Sequence, residues 1–252
     1  MKSIKIYALA LGLLAVFAGC QNDVVKPLEN DKEAPAPVRD VTYTKMSGSV
    51  LLTYTLPSDP DLLYVAASYT NKAGKKYEFK ASYFTNTLLV EGFGDTDTYS
   101  LDVYAVDRSE NYSEPVNIQV AADTPPVQAA YETLEVQPDF GGMTFSFDNA
   151  SKADLTVYVS TPNADNEMVN AETFYTGLAK ATFSVRGFLD VPRDFEICFE
   201  DKWGNRSPVK KENLTPIYEA ELDKKKFKEV ILPGDFPCTF YESKMEYIWD
   251  GR

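Results

Sequence analysis

VEGFGDTDTYSLDVYAVDRSENYSEPV runs from Val90 to Val116, and VRGFLDVPRDFEICFEDKWGNRSPV runs from Val185 to Val209. Each opens on Val-x-Gly-Phe and passes into a stretch in which apolar and polar residues alternate. Tyr99, Leu101, Val103 and Ala105 carry the alternation in the first copy, and Phe195, Ile197 and Phe199 in the second. A period of two puts every second side chain on one face, the pattern of a half-buried strand. Asp107 to Asn111 and Asp201 to Asn205 follow as tight turns. Asp at the first and Gly204 at the fourth position of the second turn suit a type I turn, and Asn205 tolerates the left-handed region expected after it. The stretch therefore prescribes a bend, a core strand and a hairpin back along the sheet. It does so twice, so the chain is read as two copies of one module.

The flanking sequence fits the same plan. In the first copy Val50, Leu52, Tyr54 and Leu56 alternate, Pro57 to Asp61 turn the chain, and Leu63, Val65, Ala67 and Tyr69 make the next inward set. A turn at 71–75, then Leu88 and Val90, and finally Val116, Ile118 and Val120 complete it. In the second copy Met143, Phe145 and Phe147 alternate, then Leu155, Val157 and Val159, then Phe183 and Val185. No helical period is seen; at most residues 163–173 hold a turn of helix in a long loop. Short strands at this spacing, without a βαβ rhythm, predict an all-β chain of two tandem antiparallel β-sandwiches, at 37–122 and 124–215.

The N-terminus has another purpose. Lys2 and Lys5 precede an apolar run from Ile6 to Ala18, and small residues lead to Cys20. This is the layout of a secretory signal over 1–19, too short to span a bilayer comfortably. Phe17-Ala18-Gly19-Cys20 resembles a bacterial lipobox, which implies that Cys20 becomes the acylated first residue. Acyl chains contribute about 0.8 kcal/mol per buried CH₂, so several on one cysteine hold a domain at a membrane. Residues 20–36, rich in acids and prolines, are read as a flexible tether. The 252 residues carry a net charge of −13, and the signal would remove two lysines and no acids. That balance argues against nucleic acid and against electrostatic adsorption to anionic lipid.

With these residues in place, the first copy resembles a fibronectin type III module. Tyr54 stands where that family usually has a core Trp, Val90 to Tyr99 resembles the approach to its tyrosine corner, and Asp107, Asn111 and Ser113 resemble its closing hairpin. The fold class is thus two immunoglobulin/fibronectin type III-like sandwiches plus an incomplete C-terminal segment. The whole order also resembles a group of Bacteroidota surface lipoproteins, through Phe140-Gly141-Gly142-Met143, Phe174-Tyr175-Thr176-Gly177 and Asp201 to Ser207. The resemblance implies a lipid-anchored, surface-exposed place at the outer membrane, an association with polysaccharide utilisation, and a discoidin-like domain after the second module. Residues 216–252 are then expected to be a connector and the truncated start of that domain.

Chemistry leaves few marks. Histidine is absent, which removes Ser-His and Cys-His arrangements and His-bound metals. No Gly-x-Ser-x-Gly, P-loop or dinucleotide fingerprint occurs. No catalytic residue, cofactor or metal is expected. Asp59, Asp61 and Asp107 could gather around calcium, but turn chemistry accounts for them. Trp203 at a hairpin tip, with Tyr112 as its near counterpart in the first copy and together with Tyr175, is the candidate ligand-binding set. Such aromatics stack on a sugar ring or fill a partner's pocket; the alternative for Trp203 is to fold back on Phe140 or the module junction. Cys198 points away from the core between Ile197 and Phe199, and either pairs with Cys238 or remains a thiol. The reading is a non-catalytic accessory of polysaccharide capture, with membrane, polysaccharide and other surface glycan-capture proteins as partners. The alternative is a spacer or protein-interaction module without a glycan site.

Overall fold

The computed structural model describes residues 31–220 and, beyond them, 222, 223, 226–228, 230 and 232–234. The signal segment, Cys20 and Cys238 lie outside the described residues. The chain divides between Pro125 and Pro126 into two compact units. Among the described residues no helix is long and apolar enough to cross a membrane.

The first unit holds β1 (Arg39–Met46), β2 (Ser49–Thr55), β3 (Leu62–Thr70), β4 (Lys76–Ser82), β5 (Thr87–Glu91), β6 (Thr98–Asp107) and β7 (Val116–Ala121). They form an antiparallel three-stranded sheet, β1-β2-β5, and a four-stranded sheet, β4-β3-β6-β7. The second unit opens with α1 (Pro126–Glu132) and continues with β8 (Glu135–Asp139), β9 (Gly142–Asp148), β10 (Leu155–Pro162), β11 (Met168–Thr176), β12 (Lys180–Arg186), β13 (Arg193–Asp201) and β14 (Lys210–Leu214). Its sheets are β12-β9-β8 and β11-β10-β13-β14. Strand for strand, the two topologies are the same: tandem immunoglobulin/fibronectin type III-like sandwiches.

The alternating residues face inward. Val50, Leu52, Tyr54, Val65, Leu101, Val103 and Ala105 are buried in the first unit. In the second, Met143, Phe145, Phe147, Val157, Phe195, Ile197 and Phe199 form one core. Phe147 and Phe199 meet edge to face at 4.7 Å across the two sheets, a geometry that adds to their area burial.

Four departures have local causes. Leu62, rather than Leu63, is buried, because the β3–β6 register shifts between Leu62 and Tyr64 and turns the strand over by one residue. The helical turn expected within 163–173 is instead a hairpin followed by β11: Asn163 Oδ1 accepts from the amides of Asp165 and Glu167, both at 2.9 Å. β11 is an exposed edge whose inward Phe174 sits opposite Val157, so pairing with β10, not local pattern, makes it a strand. Helix α1 was invisible to periodicity because seven residues bury only Val127 and Ala130; Pro126 at its first position favours the start. β4, absent from the sequence expectations, does alternate Tyr77, Phe79 and Ala81 with Lys76, Glu78 and Lys80, but at the sheet edge only Tyr77 is fully buried.

Two ends of the modules are tied down. In the first unit Asp31 N donates to Ser109 Oγ at 3.2 Å, and Asn111 Nδ2 donates to Asp31 Oδ1 at 3.0 Å. In the second, Gly141 N donates to Ile217 O at 2.8 Å and Ile217 N to Asp139 O at 3.0 Å, so the chain leaving β14 lies beside the β8–β9 turn.

Candidate functional site

The two hairpins that follow β6 and β13 are built alike. Asp107 Oδ1 accepts from the amides of Ser109 and Asn111, both at 2.8 Å, and Oδ2 accepts from Asn111 Nδ2 at 2.9 Å. Asp201 Oδ1 accepts from the amides of Trp203 and Asn205 at 2.9 and 3.0 Å, and Oδ2 from Asn205 Nδ2 at 2.9 Å. Two residues later a serine hydroxyl stitches the hairpin to its own strand: Ser113 Oγ accepts from Ala105 N, and Ser207 Oγ from Phe199 N, each at 3.0 Å. Asp107 is 1% exposed, and burial of a carboxylate is tolerated where several donors satisfy it. The shared Asp, Asn and Ser thus serve the turn.

This register corrects two sequence expectations. The left-handed residue is the fourth, Gly204 at φ 83° and Glu110 at φ 62°, not the asparagine after it. Counting from the aspartates, Trp203 matches Ser109, and Tyr112 matches Arg206, so Tyr112 is not the counterpart of Trp203. The pairing of Val106 with Tyr112 and of Glu200 with Arg206 says the same.

Tyr175 and Trp203 both lie in the second unit, and Tyr175 lines a groove there. Tyr175 stands on the outer side of β11, opposite Thr156, and is 77% exposed. With Asp154, Leu155, Thr156, Thr176, Gly177 and Lys202 it lines an open depression of about 400 Å³. Lys202 reaches from this groove to Trp203, its Nζ lying 5.1 Å from the ring centre. Trp203 is half-buried. Phe140, considered as its packing partner, occupies the β8–β9 turn, at the opposite end of the module from the β13–β14 hairpin. Lys202, Asp154 and Thr156 gave no sequence signal, because turn and strand residues of these types are ordinary until the fold sets them beside an exposed ring.

Tyr112 belongs to the first unit and is 42% exposed. It packs edge-on to Tyr104, with ring centres 5.7 Å apart, and its hydroxyl lies 3.2 Å from that of Tyr64.

The acidic turn residues gather differently from expectation. Carboxylate oxygens of Asp31, Asp61 and Asp107 lie within 4.8 Å of one another, with Asp31 in the place given to Asp59. Asp59 is a neighbour of Asp61: a hydrogen bond between the two carboxyls, reinforced by burial and by their like charge, holds Asp61 above the usual carboxylate range. Oxygen ligands of this kind suit a hard cation such as calcium, although those of Asp107 are already engaged by its turn. Cys198 is a free cysteine whose Sγ lies 3.5 Å from Ser207 O.

Residues 35–122 match the domain of unknown function DUF4959, and residues 123–225 match the domain of unknown function DUF5126. No curated protein matches the chain. Among solved structures, a SusE-like protein shares 32% identity over 50% of this chain and 45% of its own, with a TM-score of 0.34. This chain therefore spans less than half the length of that protein. A two fibronectin type III domain segment from chicken tenascin is 15% identical over 71% of this chain and 99% of its own, with a TM-score of 0.33. The FN1–FN3 domains of chicken CNTN1 are 9% identical over 72% and 67%, also at 0.33.

Proposed function

We propose that this chain is a non-catalytic accessory of polysaccharide capture, held at the outer face of an outer membrane by a lipid on Cys20. The observation that carries the reading is the groove of the second unit, where the exposed Tyr175 ring, Lys202 and Asp154 line an open depression and Lys202 leads on to the Trp203 ring. A flat ring beside a few hydrogen-bonding groups is what a sugar ring requires: an apolar face to stack on and polar partners for its hydroxyls. The groove is shallow and open, suited to a chain passing across it rather than to an enclosed small molecule. Lipid attachment and partnership with other glycan-capture proteins rest on the sequence phrases that resemble surface lipoproteins.

Affinity electrophoresis of the chain from residue 31 through gels containing neutral and anionic polysaccharides tests this. Retardation by a polysaccharide gel, reduced in Tyr175→Ala and Trp203→Ala, is the expected result. Equal mobility of wild type in every gel and in its absence would end the capture reading. A second reading, a spacer or protein-interaction module, is favoured by the far end of the second unit, where Phe140, Leu189, Val191, Ile217 and Tyr218 are exposed. Release of reducing ends from any of the polysaccharides would instead show an enzyme.

A further inference from the structure

Counting residues from Asp107 and Asp201 sets the outer faces of the two four-stranded sheets side by side, and they differ sharply. On the first, Tyr64, Tyr104 and Tyr112 cluster although they arrive from β3, β6 and the hairpin beyond it. At the matching places the second unit has Thr156, Cys198 and Arg206, and it builds the same strands and the same turn. The fold therefore does not require the tyrosines.

The hydroxyls of Tyr64 and Tyr112 are held by hydrogen bonds, and the Tyr104 ring by its edge-on contact with Tyr112. Tyr64 donates to Glu110 Oε2 at 2.8 Å, lies 3.2 Å from the Tyr112 hydroxyl, and accepts from Lys80 Nζ at 3.1 Å. The Lys80 ammonium also lies 4.5 Å from the Tyr64 ring centre, and Glu78 is 3.3 Å from Lys80. The floor beside them is small: Ala66 sits between Tyr104 and Lys80 in the pairing of β3 with its two neighbours. Glu110 is the telling member. It takes a left-handed conformation, at φ 62°, at the position where the second hairpin has Gly204. Left-handed backbone is costly for a residue with a Cβ, and such strain persists where a side chain is needed. Here that side chain reaches the tyrosine cluster.

We infer that the Tyr64–Tyr104–Tyr112 face of the first unit, with Glu110 and Lys80, is a second carbohydrate site, one that takes a neutral glycan chain. The inference rests on the capture reading and adds a site that reading does not need. Rings held by hydrogen bonds, as Tyr64 and Tyr112 are, or by packing, as Tyr104 is, lose little freedom when a ligand stacks on them. Glu110, Glu78 and Lys80 supply acceptors and a donor for sugar hydroxyls. Two carboxylates against one ammonium, on a chain of net charge −13, disfavour uronate or sulfate groups.

The experiment uses the whole chain from residue 31, with gels or titrations of soluble starch, xylan and galactomannan as neutral probes and polygalacturonate as the anionic one. Tyr175→Ala/Trp203→Ala is the background, so that only the first-unit face remains. On it, a neutral polysaccharide still binds, and adding Tyr104→Ala/Tyr112→Ala weakens that binding about ten-fold, the effect of losing a stacked ring. Glu110→Gly keeps the chain from being merely unfolded: it relieves the strained backbone and raises the melting temperature while lowering affinity. Neutral binding that survives both the double tyrosine change and Glu110→Gly overturns the site and leaves the capture reading standing. Tighter binding of polygalacturonate than of any neutral probe overturns the neutral preference. Wild-type silence on every probe overturns the site and the capture reading together.

Discussion

Tyr99 shows how much one side chain can decide. Its hydroxyl donates to Asp95 Oδ1 at 3.0 Å, closing the bend between β5 and β6. Burial, and then the neighbouring carboxylate, push the Tyr99 phenol up to about 12. Burial pushes Asp95 upward, but hydrogen bonds from Lys72, from the Asp97 amide and from Tyr99 outweigh it and leave its carboxyl below the usual range. A depressed folded value means that Asp95 adds stability above the ordinary carboxylate range, and that this stability is lost as pH falls through the folded value. Tyr99→Phe should cost about 1 kcal/mol at pH 7, the worth of one such bond, and should flatten the acid limb of stability measured by urea unfolding. Asp61 has the opposite sign. Its raised value means that the folded state holds the proton more tightly, so stability rises as pH falls through that value. Asp61→Asn should therefore raise the melting temperature at pH 7 and have no such benefit once pH is well below it, which thermal scans at the two pH values would read.

At the scale of elements, the hairpins and the Gly141-Gly142 pair show what particular residues do for their turns. Asp201 accepts three hydrogen bonds within its turn. Asp201→Ala should cost about 2–3 kcal/mol, as expected for bonds to a charged acceptor whose donors lose their partner, and should broaden the amide resonances of Trp203 and Asn205. Gly142 lies where β9 meets β12: a Cβ there would come 1.8 Å from Val185 O, a backbone atom that cannot turn aside. Gly142→Ala should destabilise the second unit by about 3 kcal/mol or more, measured as a drop in its denaturation midpoint. The bend between the last two core strands is built twice in different materials. In the first unit Tyr69 stacks on Phe93 and Tyr99 leans against both at a tilt, whereas Arg193 lies 4.7 Å over Phe188 and donates to Pro162 O at 2.7 Å in the second. Val-x-Gly-Phe is the shared part because it sets the bend; what fills the bend is free to change.

For the whole molecule, duplication separates scaffold from surface. Each unit has its own buried set, so a core lesson in one should stay there. Phe199→Ala removes a ring that touches Phe147 and should cost the second unit about 3–5 kcal/mol. Calorimetry should show its transition moving down while that of the first unit keeps its midpoint; a single transition moving as one would show that the two cores unfold together.

Much of this architecture was legible in the chain alone. The inward residues of β2, β6, β9, β10 and β13 follow from a period of two, since a strand with one buried face must alternate, and the hairpins follow from Asp and Asn at fixed offsets. Short or edge elements were not legible: α1 buries too few residues to show a period, and β11 owes its form to the strand beside it. The candidate surfaces were legible only in part. Tyr175, Trp203 and Tyr112 stand out as aromatics where solvent is expected, but Lys202, Tyr64, Lys80 and Glu110 acquire meaning only beside them. Alternation along a strand is a property of neighbours in sequence, so composition and order determine it. Which side chains meet across strands 48 residues apart, as Tyr64 and Tyr112 do, depends on register and bulges, and these are decided by the folded pairing of the sheets.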